Sequence, residues 1–142
     1  MSLPRKLKVG DDLRSSARER ALHLLYEAES RSVPVAQIVA AQVLGVDDLV
    51  TRLTDGVSAR RDEIDAMITE YSHTWTIERM PAIDRNVLRL GIYELIDRPE
   101  VPVAVIINEA VELAKRFSTD ESGRYVNGVL SAIAKKVRTK GI

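Results

Sequence analysis

The stretch from Gly123 to Leu130, "GRYVNGVL", decides the fold. Its Asn127-Gly128 pair flanked by valines is a strong short-range signal for a β-hairpin turn. The residues that follow oppose that reading. Val126, Val129, Leu130, Ile133, Ala134 and Val137 recur at spacings of three and four, the period of an amphipathic helix. A hairpin also needs a second strand, and "LSAIAKKVR" has none of the β-branched alternation of one. Asn127 and Gly128 therefore lie on a helix, where both weaken the local structure and something must compensate.

Helix signals extend outward from this segment through nearly the whole chain. Ser16 and Glu19 have the spacing of a capping box, and Ala17, Ala21, Leu24, Leu25 and Ala28 mark one face of a helix ending near Ser30. Pro34 suits a helix start and Gly45 a stop, which predicts a short helix from Val35 to about Leu44. Asp47 or Asp48 then caps a helix carrying Leu49, Val50, Leu53, Val57, Ile64, Met67 and Ile68, with Gly56 weakening its middle. That makes three helices before residue 72.

The second half follows the same plan. Asp84 is placed to cap a helix with Val87, Leu88, Gly91, Leu95 and Ile96, and "DRPEVP" ends it with two prolines. After Pro102 the β-branched opening of "VAVIINEAVELAKRF" looks like a strand for five positions. Ile106, Ala110, Leu113, Ala114 and Phe117 hold helical spacing and decide for a helix. "STDESGR" offers caps for the last helix. With aromatics at only 4%, packing rests on alanine and aliphatic side chains, as in helical bundles.

The chain of 142 residues is one ordinary domain, and 45% hydrophobic with 30% charged residues describes a folded protein with disorder expected only at its ends. Cysteine is absent, which excludes disulfides, thiolate nucleophiles and cysteine-type zinc sites. No apolar run reaches the roughly 20 residues that span a bilayer, and "MSLPRKLKVG" lacks the core of a signal peptide, so a cytoplasmic location without membrane contact is expected.

The formal net charge is zero, which by itself gives no support to a nucleic-acid partner. Its distribution is uneven. Residues 1–20 carry Arg5, Lys6, Lys8, Arg14, Arg18 and Arg20 against three acids, and the last eight residues carry four cations and no acid. Between Glu27 and Glu70, nine acids face four arginines.

His23 and His73 stand without an HExxH-type spacing, no glycine-rich phosphate loop or G-x-S-x-G elbow occurs, and no catalytic, metal or cofactor site is expected. Most aromatics fit a core, including Trp75 beside Ile77 and Met80. Tyr125 differs in its setting. It follows Arg124 near a helix start, where a ring can stack on an unpaired base while the arginine meets a phosphate.

Residues 81–130 closely resemble the NusB family of bacterial transcription antitermination factors. The resemblance is carried by "DRNVLRLGIYEL", "VIINEAVELAKRFSTDES" and "YVNGVL", and "ARERALHLLYEAE" is similar to the family's first helix. It implies an all-α, seven-helix fold built from two three-helix subdomains packed together, at about 14–72 and 73–142, behind a basic extension over residues 1–13. It also implies no enzymatic activity and no cofactor. The implied function is binding the boxA single-stranded RNA element of ribosomal RNA leaders together with NusE, a small-subunit ribosomal protein. The pair then joins an RNA polymerase antitermination complex that keeps ribosomal operons transcribed to their ends. Some members form homodimers, so the alternative is a self-associating scaffold or regulator whose RNA surface is masked. A similar domain also precedes the catalytic part of certain ribosomal RNA methyltransferases, a reading placed last because the chain ends at Ile142 with no such part after it.

Site roles follow from the same resemblance. RNA contacts are implied for Arg14, Arg18 and Arg20 at the first helix, where Ser15 and Ser16 replace further arginines, and for Tyr26, Arg85, Arg124 and Tyr125. NusE contacts are implied for Tyr26, Asp84 and Glu121. The remaining expectation concerns the opening pair. Without a Cβ, Gly128 would let the sixth helix pack closely through Ala110 and Ala114, and Asn127 would find partners near a helix end, so both are expected to be structural and to hold Arg124 and Tyr125 in place.

Overall fold

Proline at three helix starts and apolar residues at helical spacing divide the chain into helices, and a computed structural model describes residues 9–138. The helices are α1 (Val9–Arg31), α2 (Val35–Ala40), α3 (Asp48–Ala59), α4 (Arg61–Tyr71), α5 (Ala82–Asp97), α6 (Val103–Phe117) and α7 (Asp120–Val137). No strand occurs among the described residues. "GRYVNGVL" lies wholly within α7, so the helical period of the residues after the Asn-Gly pair outweighs its turn signal.

Helices α1 to α3 pack on one another, as do α5 to α7, and α4 bridges the two groups by resting mainly on α5 and α7. Helix α5 is central: α1, α3, α4, α6 and α7 all pack against it. Its residues from Asn86 to Leu95 are consequently buried without a break. Two glycines permit close crossings there. A Cβ on Gly91 would stand 2.9 Å from Leu130 Cδ1 of α7, and one on Gly56 of α3 would collide with the Tyr93 ring of α5.

Four boundaries differ from the sequence reading. Helix α1 begins at Val9, inside the supposed extension, and Ser16 sits within the helix, so the capping-box spacing marks no start; residues 1–8 lie outside the described ones. Helix α2 stops at Ala40. Its last amides tighten onto nearer carbonyls, and the Gln42 side chain donates to the Ile38 carbonyl at 3.0 Å, taking the acceptor that a further turn would use. The third predicted helix breaks at Arg60 (φ −108°, ψ 19°) and becomes α3 and α4. Arg60 is pinned there by Asp97 at the end of α5 and by Glu63, both at 2.7 Å. Helix α5 starts after Pro81, not at Asp84, because proline's fixed φ and missing N–H suit that position. Asp84 instead lies in the first turn with its side chain fully buried.

Candidate nucleic-acid interface

The start of α7 is built by its cap. Thr119 Oγ1 accepts the Ser122 backbone amide at 2.9 Å and donates to Ser122 Oγ at 3.0 Å, which fixes the first turn. The two sides of this turn face different surroundings: Glu121 and Arg124 are exposed, whereas Ser122 and Gly123 are buried. Gly123 is where α6 comes close, since a Cβ there would lie 2.7 Å from Lys115 Cγ and 3.4 Å from Val111 Cγ1. This, and not Gly128, is the close-packing glycine of the segment. A Cβ on Gly128 would meet nothing within 4 Å and Gly128 is exposed, so its expected close packing is overturned; Asn127 is exposed too, within α7, with Ser131 as its side-chain partner.

Tyr125 is held from two directions. Its ring meets Trp75 edge to face at 4.9 Å between centroids, and its hydroxyl bonds to Ser72 Oγ. Ser72 donates its own proton to the Trp75 carbonyl at 2.7 Å, so the tyrosine is the donor of the pair. Burial pushes the Tyr125 hydroxyl above its usual range, and the nearby Asp84 charge adds to that against the opposing Ser72 bond. The ring is half-buried and its position is fixed.

The end of α1 reaches the same region. His23 meets Phe117, the last residue of α6, edge to face at 4.8 Å, and Glu29 binds Arg85 of α5 through both carboxylate oxygens at 2.8 Å. Tyr26 lies between His23 and Glu29 along α1 and is 42% exposed. Arg85 also donates to the carbonyls of Ile77 and Met80, both at 2.9 Å, while Arg89 joins Glu29 to Asp65 of α4. Burial of Glu29 disfavours its charge, but the hydrogen bonds and charges of Arg85 and Arg89 win and hold its carboxyl at about 2.

Three of the expected contacts are not available as surface groups. Arg18 is 3% exposed and forms a two-pronged pair with Glu94, at 2.7 and 3.0 Å, with Glu109 3.5 Å away. Its assignment as an RNA contact is corrected: the guanidinium ties α1 to α5. Arg85 is mostly enclosed by Glu29 and the two carbonyls. Asp84 is fully buried and neither carboxylate oxygen has a hydrogen-bond partner among the described residues, so as it stands it presents no surface to a partner protein. Its place in the first turn of α5 puts the charge at the favourable end of the helix dipole.

Glu121, Arg124 and Tyr125 share the first turns of α7, and Tyr26 lies one turn of α1 beyond His23, which meets the last residue of α6. Arg14 and Arg20 are exposed higher on α1, Arg20 donating to Gln42 at 2.8 Å. Arg18 meets α5 at Glu94, ten residues from Asp84 or about 15 Å along the helix. One cation of the site went unnoticed in the sequence: Lys115, whose stem crosses Gly123. Among the described residues no group of three or more histidines or acids is placed to hold a metal, and no helix is long and apolar enough to cross a membrane.

Residues 15–135 match the model of the NusB family. The "Transcription antitermination protein NusB" of Acidothermus cellulolyticus is 47% identical over 124 residues, covering 84% of this chain and 86% of that protein. The protein of the same description from Myxococcus xanthus is 44% identical over 131 residues, 85% of this chain and 94% of its own. Among solved structures, T. maritima NusB is similar with a TM-score of 0.78 at 34% identity, covering 87% of this chain and 91% of that one. A chain from a crystal structure of the antitermination factors NusB and NusE in complex with dsRNA is similar with a TM-score of 0.74 at 30% identity, covering 87% and 96%.

Proposed function

This chain belongs to the NusB family, and on that premise we propose that it binds the boxA element of ribosomal RNA leaders as single-stranded RNA, together with NusE. The pair then joins the RNA polymerase antitermination complex and promotes processive transcription of ribosomal operons. The observation that carries this reading is the fixed Tyr125 ring beside the exposed Arg124 at the capped start of α7. A ring held by Trp75 and Ser72 loses little freedom when a base stacks on it, and an adjacent guanidinium meets the phosphate.

Tyr26 and Glu121 are exposed and supply the NusE contacts in this reading, while Arg14 and Arg20 extend the RNA surface along α1. The zero net charge fits a shared task. A neutral protein attracts RNA weakly alone, and a second protein with basic surface raises both the affinity and its salt dependence. The test is Tyr125→Ala measured on boxA RNA and on a duplex of equal length. One lost base stack is worth about 1–3 kcal/mol, roughly 5- to 150-fold, and should appear on the single strand. An equal loss on the duplex would contradict the stacking role.

A further inference from the structure

Asn127 and Gly128 remain unexplained by the packing of this chain. Both are exposed in the interior of α7, where each weakens the helix, and Gly128 fills no close contact within the protein. Their neighbours on α7 are Arg124 and Ser131, so the four residues follow one another at i, i+3, i+4 and i+7 along one stripe. Beside that stripe runs an open groove of about 320 Å³ between α6 and α7, lined by Val111, Lys115, Asp120, Gly123, Arg124 and Asn127.

Two cations line this groove. Lys115 and Arg124, like Arg52, Arg79 and Lys135, have no acid within salt-bridge distance among the described residues, whereas eight arginines are paired with one. Gly123 lets the Lys115 stem cross close to α7, and Lys115 lines the groove. Ser131 donates to Asn127 Oδ1 at 3.3 Å, which turns the amide nitrogen of Asn127 into a free donor. One carboxylate, Asp120, lines the groove in the first turn of α7, where the helix dipole offsets its charge. Two cations, a free amide and one acid leave a net positive groove.

We propose that this groove binds the RNA phosphodiester backbone, with Lys115, Arg124 and Asn127 donating to phosphate oxygens and Gly128 leaving room for the strand to approach the helix. The inference rests on the RNA-binding reading above and deepens it: the strand whose base stacks on Tyr125 runs along α7 over Asn127 and Gly128. The sequence then keeps two helix-weakening residues because the ligand, not the fold, needs them.

Three variants test this by anisotropy on labelled boxA RNA in the presence of NusE, with melting temperature recorded for each. Lys115→Ala should weaken binding to boxA about 3- to 10-fold and should lower the slope of log affinity against log salt by about one. Lys115→Arg should restore both. Gly128→Leu should keep or raise the melting temperature, since leucine is the better helix former, and still weaken RNA binding about 10-fold. Unchanged affinity and salt slope in Lys115→Ala and Gly128→Leu, with Tyr125→Ala still impaired, would overturn the groove and leave the function standing. Weaker NusE binding with unchanged RNA affinity would overturn it in favour of a protein contact. Absence of RNA binding by the unaltered protein would overturn both.

Discussion

Arg18 and Glu94 face each other at the buried contact of α1 and α5, joined by two hydrogen bonds of 2.7 and 3.0 Å. Burial disfavours the arginine's charge, yet Glu94 and Glu109 more than offset it and raise its pKa. Arg98 approaches the same carboxylate at 3.0 Å, so Glu94 is the shared acceptor of two buried cations. The pair holds the first helix group on the second.

Arg18→Ala should therefore cost stability and not RNA affinity. Removing Arg18 takes away one of the two cations that balance the buried Glu94, and because Arg98 stays the loss is about 3 kcal/mol, the low end for a broken buried pair, measurable by urea unfolding. Arg18→Met, which keeps the buried packing while Arg98 still balances Glu94, should recover part of that loss. A fully stable Arg18→Ala protein with weakened RNA binding would contradict the assignment.

Glu29 sets an acid limit. Its carboxyl titrates near 2 in the fold against a usual value of 4.5, so the native state is favoured by its charge at any pH above about 4.5. That contribution is lost as the pH falls from about 4.5 to about 2. Glu29→Gln should flatten the stability profile across this window, while lowering stability at neutral pH. An unchanged profile would show that the Arg85 and Arg89 contacts contribute little.

Gly56 and Gly128 should respond in opposite ways to the same substitution. Gly56→Ala drives a methyl group into the Tyr93 ring and should cost about 1–3 kcal/mol through overpacking. Gly128→Ala meets open space and should gain a few tenths to about 1 kcal/mol from helix propensity. Thermal melts of the two variants decide the matter.

Arg138 closes the far end of α5. Its guanidinium donates to the carbonyls of Leu95, Arg98, Val101 and Glu94 at 2.7, 2.8, 3.0 and 3.2 Å, satisfying groups that the helix end leaves open. Arg138→Ala should cost about 1.5–3 kcal/mol. The accompanying increase in amide hydrogen exchange should be centred on residues 95–101, and protection unchanged there would argue against the cap.

Much of this fold was legible in the chain because its helices carry apolar residues at regular spacing: Ala17, Ala21, Leu24, Leu25 and Ala28 are all buried as that spacing requires. The break at Arg60 was not, since no proline or glycine marks it and its cause is a contact with Asp97 thirty-seven residues away. Arg18 sits one turn before Leu22 on the buried face, a position that signals a core residue. Its charge suggested the opposite, because a buried cation becomes credible only once Glu94 is seen opposite. The candidate site was divided in the same way. Tyr125 and Arg124 stood out from their place at a helix start, whereas Lys115 depends on the α6–α7 crossing at Gly123, which sequence spacing does not reveal.

The most direct measurement is a titration of labelled boxA RNA with this protein, with and without NusE from the same organism, at two salt concentrations. A boxA-binding partner of NusE should bind weakly alone, gain markedly with NusE, lose affinity at the higher salt and fail on a scrambled RNA. Binding absent at both salts with NusE present, or equal on boxA and scrambled RNA, would contradict that function.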